Sequence, residues 1–300
     1  MSYSRDDLLH LVPTQPTLVG IDSDGCVFDS MEVKQKECFH PEILQSWGLD
    51  GIEIALRETA EFINLYSEMR GLNRFIALLR TFELLGSHPK ADGAGVSLPP
   101  TESLRTFVES GAPLTNGSLH HAADSSGDPE LRRILEWSTR IDKRVQERVT
   151  DIHLFPWVRQ ALEKMSTTSD LMICSQTPVE TLEREWAKQE INGYIQITAG
   201  QEFGTKTEQL SMGWNGKYAP GKVLMIGDAP GDLIAAREAK TLFYPIIPGA
   251  EGPSWKRLVE EAYESFLAGT YAGEFECRLI GEFKASLPEA PYWLDTKSIT

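Results

Sequence analysis

Leu18-Val19-Gly20-Ile21-Asp22-Ser23-Asp24-Gly25-Cys26-Val27-Phe28-Asp29-Ser30 is an apolar run that breaks into two carboxylates and a glycine. The apolar half predicts a buried strand. Asp22 and Asp24, two residues apart, project to one side wherever strand alternation persists. Gly25 supplies a turn that lets both reach one phosphoryl group, one carboxylate to attack and the other to handle the proton. Two carboxylates this close drive one of them out of its charged form unless a cation stands between them, and Mg²⁺ is the hard, oxygen-seeking ion that suits them. A strand followed by an Asp/Gly turn is the competing reading of the segment taken alone.

Three further segments decide between these readings. Lys222-Val223-Leu224-Met225-Ile226-Gly227-Asp228-Ala229-Pro230-Gly231-Asp232 repeats the design, an apolar strand running into a loop with carboxylates at 228 and 232. The residues after it read as a helix, which puts Asp232 in a first turn where the dipole favours an anion. Asp170-Leu171-Met172-Ile173-Cys174-Ser175-Gln176-Thr177-Pro178 is another apolar strand, ending in hydroxyl residues, with Pro178 placed to open a helix. Ser175, Thr177 and the N–H groups that follow can donate to phosphate oxygens, with Gln176 beside them. Phe203-Gly204-Thr205-Lys206-Thr207-Glu208-Gln209-Leu210 sets a lysine at a helix start, where a cation opposes the dipole.

In this order the four segments resemble the haloacid dehalogenase superfamily, with Asp22/Asp24, Ser175, Lys206 and Asp228/Asp232 on its four motifs. The resemblance covers residues of about 15 to 30 and 150 to 250. It implies that Asp22 is the nucleophile of an aspartyl-phosphate and that Asp24 protonates the leaving group and then activates water. It also implies that Asp22, the backbone carbonyl of Asp24 and Asp228 hold Mg²⁺, with Asp232 acting directly or through a water. Ser175 and Lys206 would grip the transferred phosphoryl. Dehalogenases of this superfamily carry no acid two residues after the nucleophile, so Asp24 argues for phosphoryl transfer. The chemistry is coherent without the family: carboxylate attack divides a difficult displacement into two steps, and a cation with a lysine neutralises the charge that develops.

Composition points the same way. The chain has 300 residues, 41% hydrophobic and 24% charged, enough to bury a full core and to form two domains. A formal net charge of -15 disfavours nucleic acid or an anionic membrane as partner and leaves a small phosphorylated molecule as the expected one. Nothing near residue 1 joins a basic region to an apolar run, and no stretch approaches the roughly 20 apolar residues of a membrane helix, so a cytoplasmic protein is expected. Cys26, Cys38, Cys174 and Cys277 lie far apart without a C-x-x-C and read as reduced thiols.

The expected fold is α/β: a doubly wound, Rossmann-like parallel-sheet core, residues 1–29 and 150–300, with an all-helical cap inserted at 30–149. Helical spacing is plain over 52–69, 72–85 and 129–149, the last opened by Asp128 and Pro129, whereas 86–100 and 111–127 read as loops. Past 151, strands near 170–174, 194–198, 222–226 and 242–247 alternate with helices at 156–166, 178–190, 205–213 and 231–239. A further helix spans 253–269, and 271–300 forms an extension of no legible role. In the cap, Arg70, Asn73 and Arg74 are candidate substrate contacts, and Lys34 and Lys36 lie near its hinge. The expected activity is a Mg²⁺-dependent phosphatase acting on a small phosphorylated metabolite. The alternatives are a phosphomutase, a phosphonate hydrolase using a cap lysine, and a catalytically silent binding protein.

Overall fold

The computed structural model describes residues 3–93 and 95–294. Five strands form one parallel sheet: β1 (Leu18–Ile21), β2 (Asp170–Cys174), β3 (Ile197–Ala199), β4 (Val223–Gly227) and β5 (Leu242–Pro245), in the order β3-β2-β1-β4-β5. The first strand in sequence is thus the central one, with Leu18 paired to Asp170 on one side and to Val223 on the other. β1, β2 and β4 are buried at every position. Helices covering both faces of a parallel sheet explain why these strands are continuous apolar runs and do not alternate. Burying each of Leu18, Val19 and Ile21 contributes about 1.5–3 kcal/mol. Gly20 is required by close approach: a Cβ there would lie 2.8 Å from Leu210 Cδ2, so the Lys206–Trp214 helix rests directly on the central strand.

β3 starts later than the apolar spacing suggests. Asn192–Tyr194 winds into a 3-10 turn, and only Ile197–Ala199 pairs, with Met172–Cys174. The C-terminal stretch also acquires a role. Its Glu274–Ala285 helix packs beside β5, where the buried Glu276 carboxylate accepts the Phe243 N–H at 3.0 Å and pairs with Arg237 at 3.2 Å. Tyr271 Oη donates to the Phe243 carbonyl at 2.7 Å. A sheet edge that would otherwise present unpaired backbone groups is therefore covered.

The chain divides into two compact units, Met1–Ser30 with Ile152–Ser286, and Met31–Asp151 with the chain from Leu287 onward. The second is helical throughout, with no strand among its described residues. It opens with a continuous rod, Met31–Val33, Lys34–Phe39 and His40–Trp47, whose middle section is a π-helix. Glu53–Leu65, Arg74–Leu85 and Pro129–Arg148 follow where helical spacing places them, the last capped by Asp128, which accepts the Glu130 N–H at 2.7 Å. Leu56, Phe75, Phe82, Phe107, Ile134 and Trp137 belong to their common core.

One expectation is corrected here. Residues 111–127 are not all loop: Asn116–Ser126 is a helix, capped by Thr115 and closed by Gly127 at φ 68°. Its weak helix formers are offset by burial of Leu119 and Ala123 in the core it shares with the Pro129–Arg148 helix.

Candidate active site

The site grows from the carboxyl ends of β1, β2 and β4, where open α/β sheets place their ligands. Asp22 still donates its N–H to Ile226 in ladder fashion, at 3.0 Å, so its position is set by the sheet. Gly25 at φ 76° then reverses the chain, and Gly25 N–H closes on the Phe28 carbonyl at 2.9 Å. Two indoles brace this loop: Trp186 Nε1 donates to Ser23 Oγ at 3.0 Å and Trp255 Nε1 to the Cys26 carbonyl at 2.8 Å.

Asp22, Asp228 and Asp232 are all buried, and one carboxylate oxygen from each lies within 4.8 Å of the others. Lys206 ties two of them together, its Nζ standing 2.8 Å from Asp22 Oδ1 and 2.5 Å from Asp232 Oδ1. Burial pulls the Lys206 ammonium down, but the two carboxylates outweigh it and hold its pKa well above the ordinary value. That resolves the apparent conflict between a lysine and a helix start: the nearby carboxylates dominate the dipole. Burial also pushes Asp22 well above the usual carboxylate range, with Lys206 opposing and Asp232 and Asp228 adding to the rise. Asp22, Asp228 and Asp232 form an all-oxygen set of the kind that fits a hard divalent cation.

Asp232 is held from both sides. Its Oδ2 accepts the N–H groups of Asp228 and Ala229, at 3.1 and 3.0 Å. Gly227 makes room for it, because a Cβ there would lie 2.4 Å from Asp232 Cβ.

Asp24 stands apart from the three-carboxylate cluster. Its two oxygens accept from Thr177 Oγ1 at 2.8 Å and from Ser30 Oγ. Ser175, at the end of β2, is buried, and its Oγ accepts the Thr177 N–H at 3.1 Å. Gln176 Nε2 donates to the Gly204 carbonyl at 3.0 Å. Asp22, Asp24, Ser175, Gln176, Lys206, Asp228 and Asp232 therefore all lie at or just beyond the carboxyl end of the sheet, Lys206 and Asp232 in the first turns of helices. Cys26 and Cys174 lie among them, and burial raises both thiols, leaving them poor nucleophiles.

The candidates of the helical unit have framework partners. Arg70 is buried and donates to the Leu65 carbonyl at 2.9 Å. Asn73 caps the Arg74–Leu85 helix and donates to Leu114, while Arg74 pairs with Asp142 at 2.6 Å. Lys36 pairs with Glu32 at 2.6 Å, and Lys34 sits on the π-helix. Sequence reasoning missed Ser30, Trp186 and Gln209 as parts of the site, since each acts through a spatial contact without a local spacing signal.

No family model and no curated protein matches the chain. Among solved structures it is similar to a haloacid dehalogenase-like family hydrolase from Streptococcus pneumoniae, 19% identical over 80% of this chain and 90% of that one, TM-score 0.43. A HAD-superfamily hydrolase of subfamily IA from Geobacter sulfurreducens is 16% identical over 78% and 90%, TM-score 0.40. The chain resembles haloacid dehalogenase-like hydrolases. A predicted phosphoglycolate phosphatase from Haemophilus somnus is similar at 14% identity over 80% of this chain and 92% of that one, TM-score 0.42. Among the described residues, no helix is long and apolar enough to cross a membrane.

Proposed function

We propose that the chain is a Mg²⁺-dependent phosphatase of the haloacid dehalogenase type, hydrolysing a small phosphorylated metabolite through an aspartyl-phosphate on Asp22. The observation that carries this reading is the buried cluster of Asp22, Asp228 and Asp232 bridged by Lys206, with a second acid, Asp24, held alongside by Thr177 and Ser30. A binding protein has no need of both a restrained nucleophile and a separately held proton donor.

In the first step an Asp22 oxygen attacks phosphorus while Asp24 gives its proton to the departing oxygen. In the second, Asp24 as carboxylate takes a proton from water, the water oxygen attacks phosphorus, and Asp22 leaves as free carboxylate with inorganic phosphate. Ser175 and Lys206 donate to the phosphoryl oxygens, and Lys206 also fixes the line of attack by holding Asp22. Held by Asp22, Asp228 and the backbone carbonyl of Asp24, Mg²⁺ would neutralise charge between the entering carboxylate and the phosphoryl oxygens. With its oxygens on Lys206 and on two backbone N–H groups, Asp232 serves this scheme as the anchor of Lys206 and of the Asp228 turn. The helical unit, inserted between the Asp22 loop and β2, is proposed as the cap that selects substrate. The free cysteines suit a cytoplasmic setting.

The test is phosphate release from a panel of phosphorylated metabolites, with and without Mg²⁺, in wild type and Asp22→Asn. Release that requires both metal and Asp22 is expected. Release that persists in Asp22→Asn would exclude the aspartyl-phosphate route.

A further inference from the structure

We infer that Gln209 is a positioning residue that sets Ser175 against Lys206 and so shapes the phosphoryl grip; the inference rests on the phosphatase reading above. Gln209 lies one turn into the Lys206–Trp214 helix and is fully buried. Its Nε2 donates to three carbonyls at once: Ser175 at 3.0 Å, Gly200 at 2.9 Å and Gly204 at 3.0 Å. An amide has two N–H groups, so one is shared. Its Oε1 has no hydrogen-bond partner, and turning the amide over would aim that oxygen at three carbonyl oxygens, which fixes its orientation.

The three carbonyls belong to the loops that carry the grip. Ser175 supplies the hydroxyl, Gly200 begins the connection out of β3, and Gly204 stands two residues before Lys206. Sheet pairing between these loops ends at Cys174 with Ala199, followed by Ser175 N–H on Ala199 at 3.1 Å. Beyond that point they interlock. Gln201 N–H donates to Thr177 at 3.2 Å, and Val179 N–H reaches Glu202 Oε2 at 3.2 Å. A Cβ on Gly200 would lie 2.7 Å from both the Thr177 carbonyl and the Val179 nitrogen, so the two loops touch backbone to backbone. Gln209 ties this pair of loops to the helix whose first residue is Lys206. Without its donors the Ser175 carbonyl loses its link to that helix, and the distance between the serine hydroxyl and the lysine ammonium is held less tightly. Misplacement on that scale is felt most by a group required to meet three phosphoryl oxygens at once.

The test compares wild type, Q209M, S175A and the double variant Q209M/S175A with p-nitrophenyl phosphate and Mg²⁺. It reads kcat, KM and the inhibition constant of orthovanadate; a partly unfolded sample lowers apparent kcat but leaves KM and the inhibition constant unchanged, because only the active fraction reports. Methionine keeps the volume and removes the donors. The expected result is an orthovanadate constant about tenfold weaker in Q209M when Ser175 is present and clearly less affected when it is absent. An unchanged constant in Q209M, or the same weakening in both backgrounds, would overturn the role of Gln209 while leaving the phosphatase reading intact. If Q209M does not fold by circular dichroism, Q209N, which keeps the amide but withdraws it by one methylene, carries the same comparison. Wild type without Mg²⁺-dependent turnover would overturn the phosphatase reading and this inference with it.

Discussion

Acid should weaken the helical unit through His40 well before its carboxylates titrate. The imidazole is fully buried, and neither ring nitrogen has a hydrogen-bond partner. Burial, reinforced by the Arg57 and Lys36 cations, pushes its pKa down to about 3. In the unfolded chain a histidine titrates near ~6.5. Between those values the unfolded state takes up a proton that the folded state refuses. Stability is therefore fully present above about pH 6.5 and is lost as pH falls from there toward 3. Integrated over that window, the loss is about 2 kcal/mol between pH 8 and pH 5. His40→Leu removes the titration. Urea unfolding of wild type and H40L from pH 8 to pH 5, followed by far-ultraviolet circular dichroism, isolates the effect, because other groups titrate alike in both proteins. The stability difference between the two should change by about 2 kcal/mol across that range in favour of H40L at the acid end. Parallel pH profiles would refute the reasoning.

Asp24→Asn should slow a substrate with a poor leaving group ~10²–10⁴-fold and p-nitrophenyl phosphate far less, since only the former needs a proton on departure; equal losses would remove Asp24 as the acid. Gly227→Ala drives a Cβ to within 2.4 Å of Asp232 Cβ, so it should cost about 1–3 kcal/mol by thermal melting and depress turnover with it, and a fully active, undestabilised variant would count against the packing described. Asp228→Asn should raise the Mg²⁺ concentration for half-maximal turnover by at least about tenfold, whereas an unchanged metal titration would take Asp228 out of the coordination shell. Of the four cysteines only Cys277 is exposed, so a thiol reagent should label it first in the native protein and reach Cys26, Cys38 and Cys174 on unfolding; early labelling of Cys26 or Cys174 would contradict their burial.

The strands that build the site were legible because each is buried on both faces and so reads as an unbroken apolar run ending in a polar residue: Ile21 before Asp22, Cys174 before Ser175, Gly227 before Asp228. The Pro129–Arg148 helix was equally plain, since Asp128 and Pro129 are chemical start signals. The Asn116–Ser126 helix was not, because Gly117, Ser118 and His120 are weak helix formers and burial of Leu119 and Ala123 decides the matter. Arg70, Asn73 and Arg74 read from sequence as candidate substrate contacts, while the partners the structure gives them, Leu65, Leu114 and Asp142, are invisible to local spacing. Gln209 was hidden for the same reason: one polar residue on a helix reads as solvated until the three carbonyls around it are seen.

The strand at the middle of the sheet is also the first to be synthesised, and this orders events on the ribosome. β1 leaves the exit tunnel early, yet its neighbours β2 and β4 begin at Asp170 and Val223. At ~5–20 residues per second, the 150 or so residues to β2 take roughly 10–30 s. Through that interval Leu18, Val19 and Ile21 have no sheet to join, while the helical segments from Met31 to Arg148 emerge. Nascent chains halted before Asp170 should therefore carry an unpaired apolar strand, and slow translation over that stretch would favour misassembly over folding.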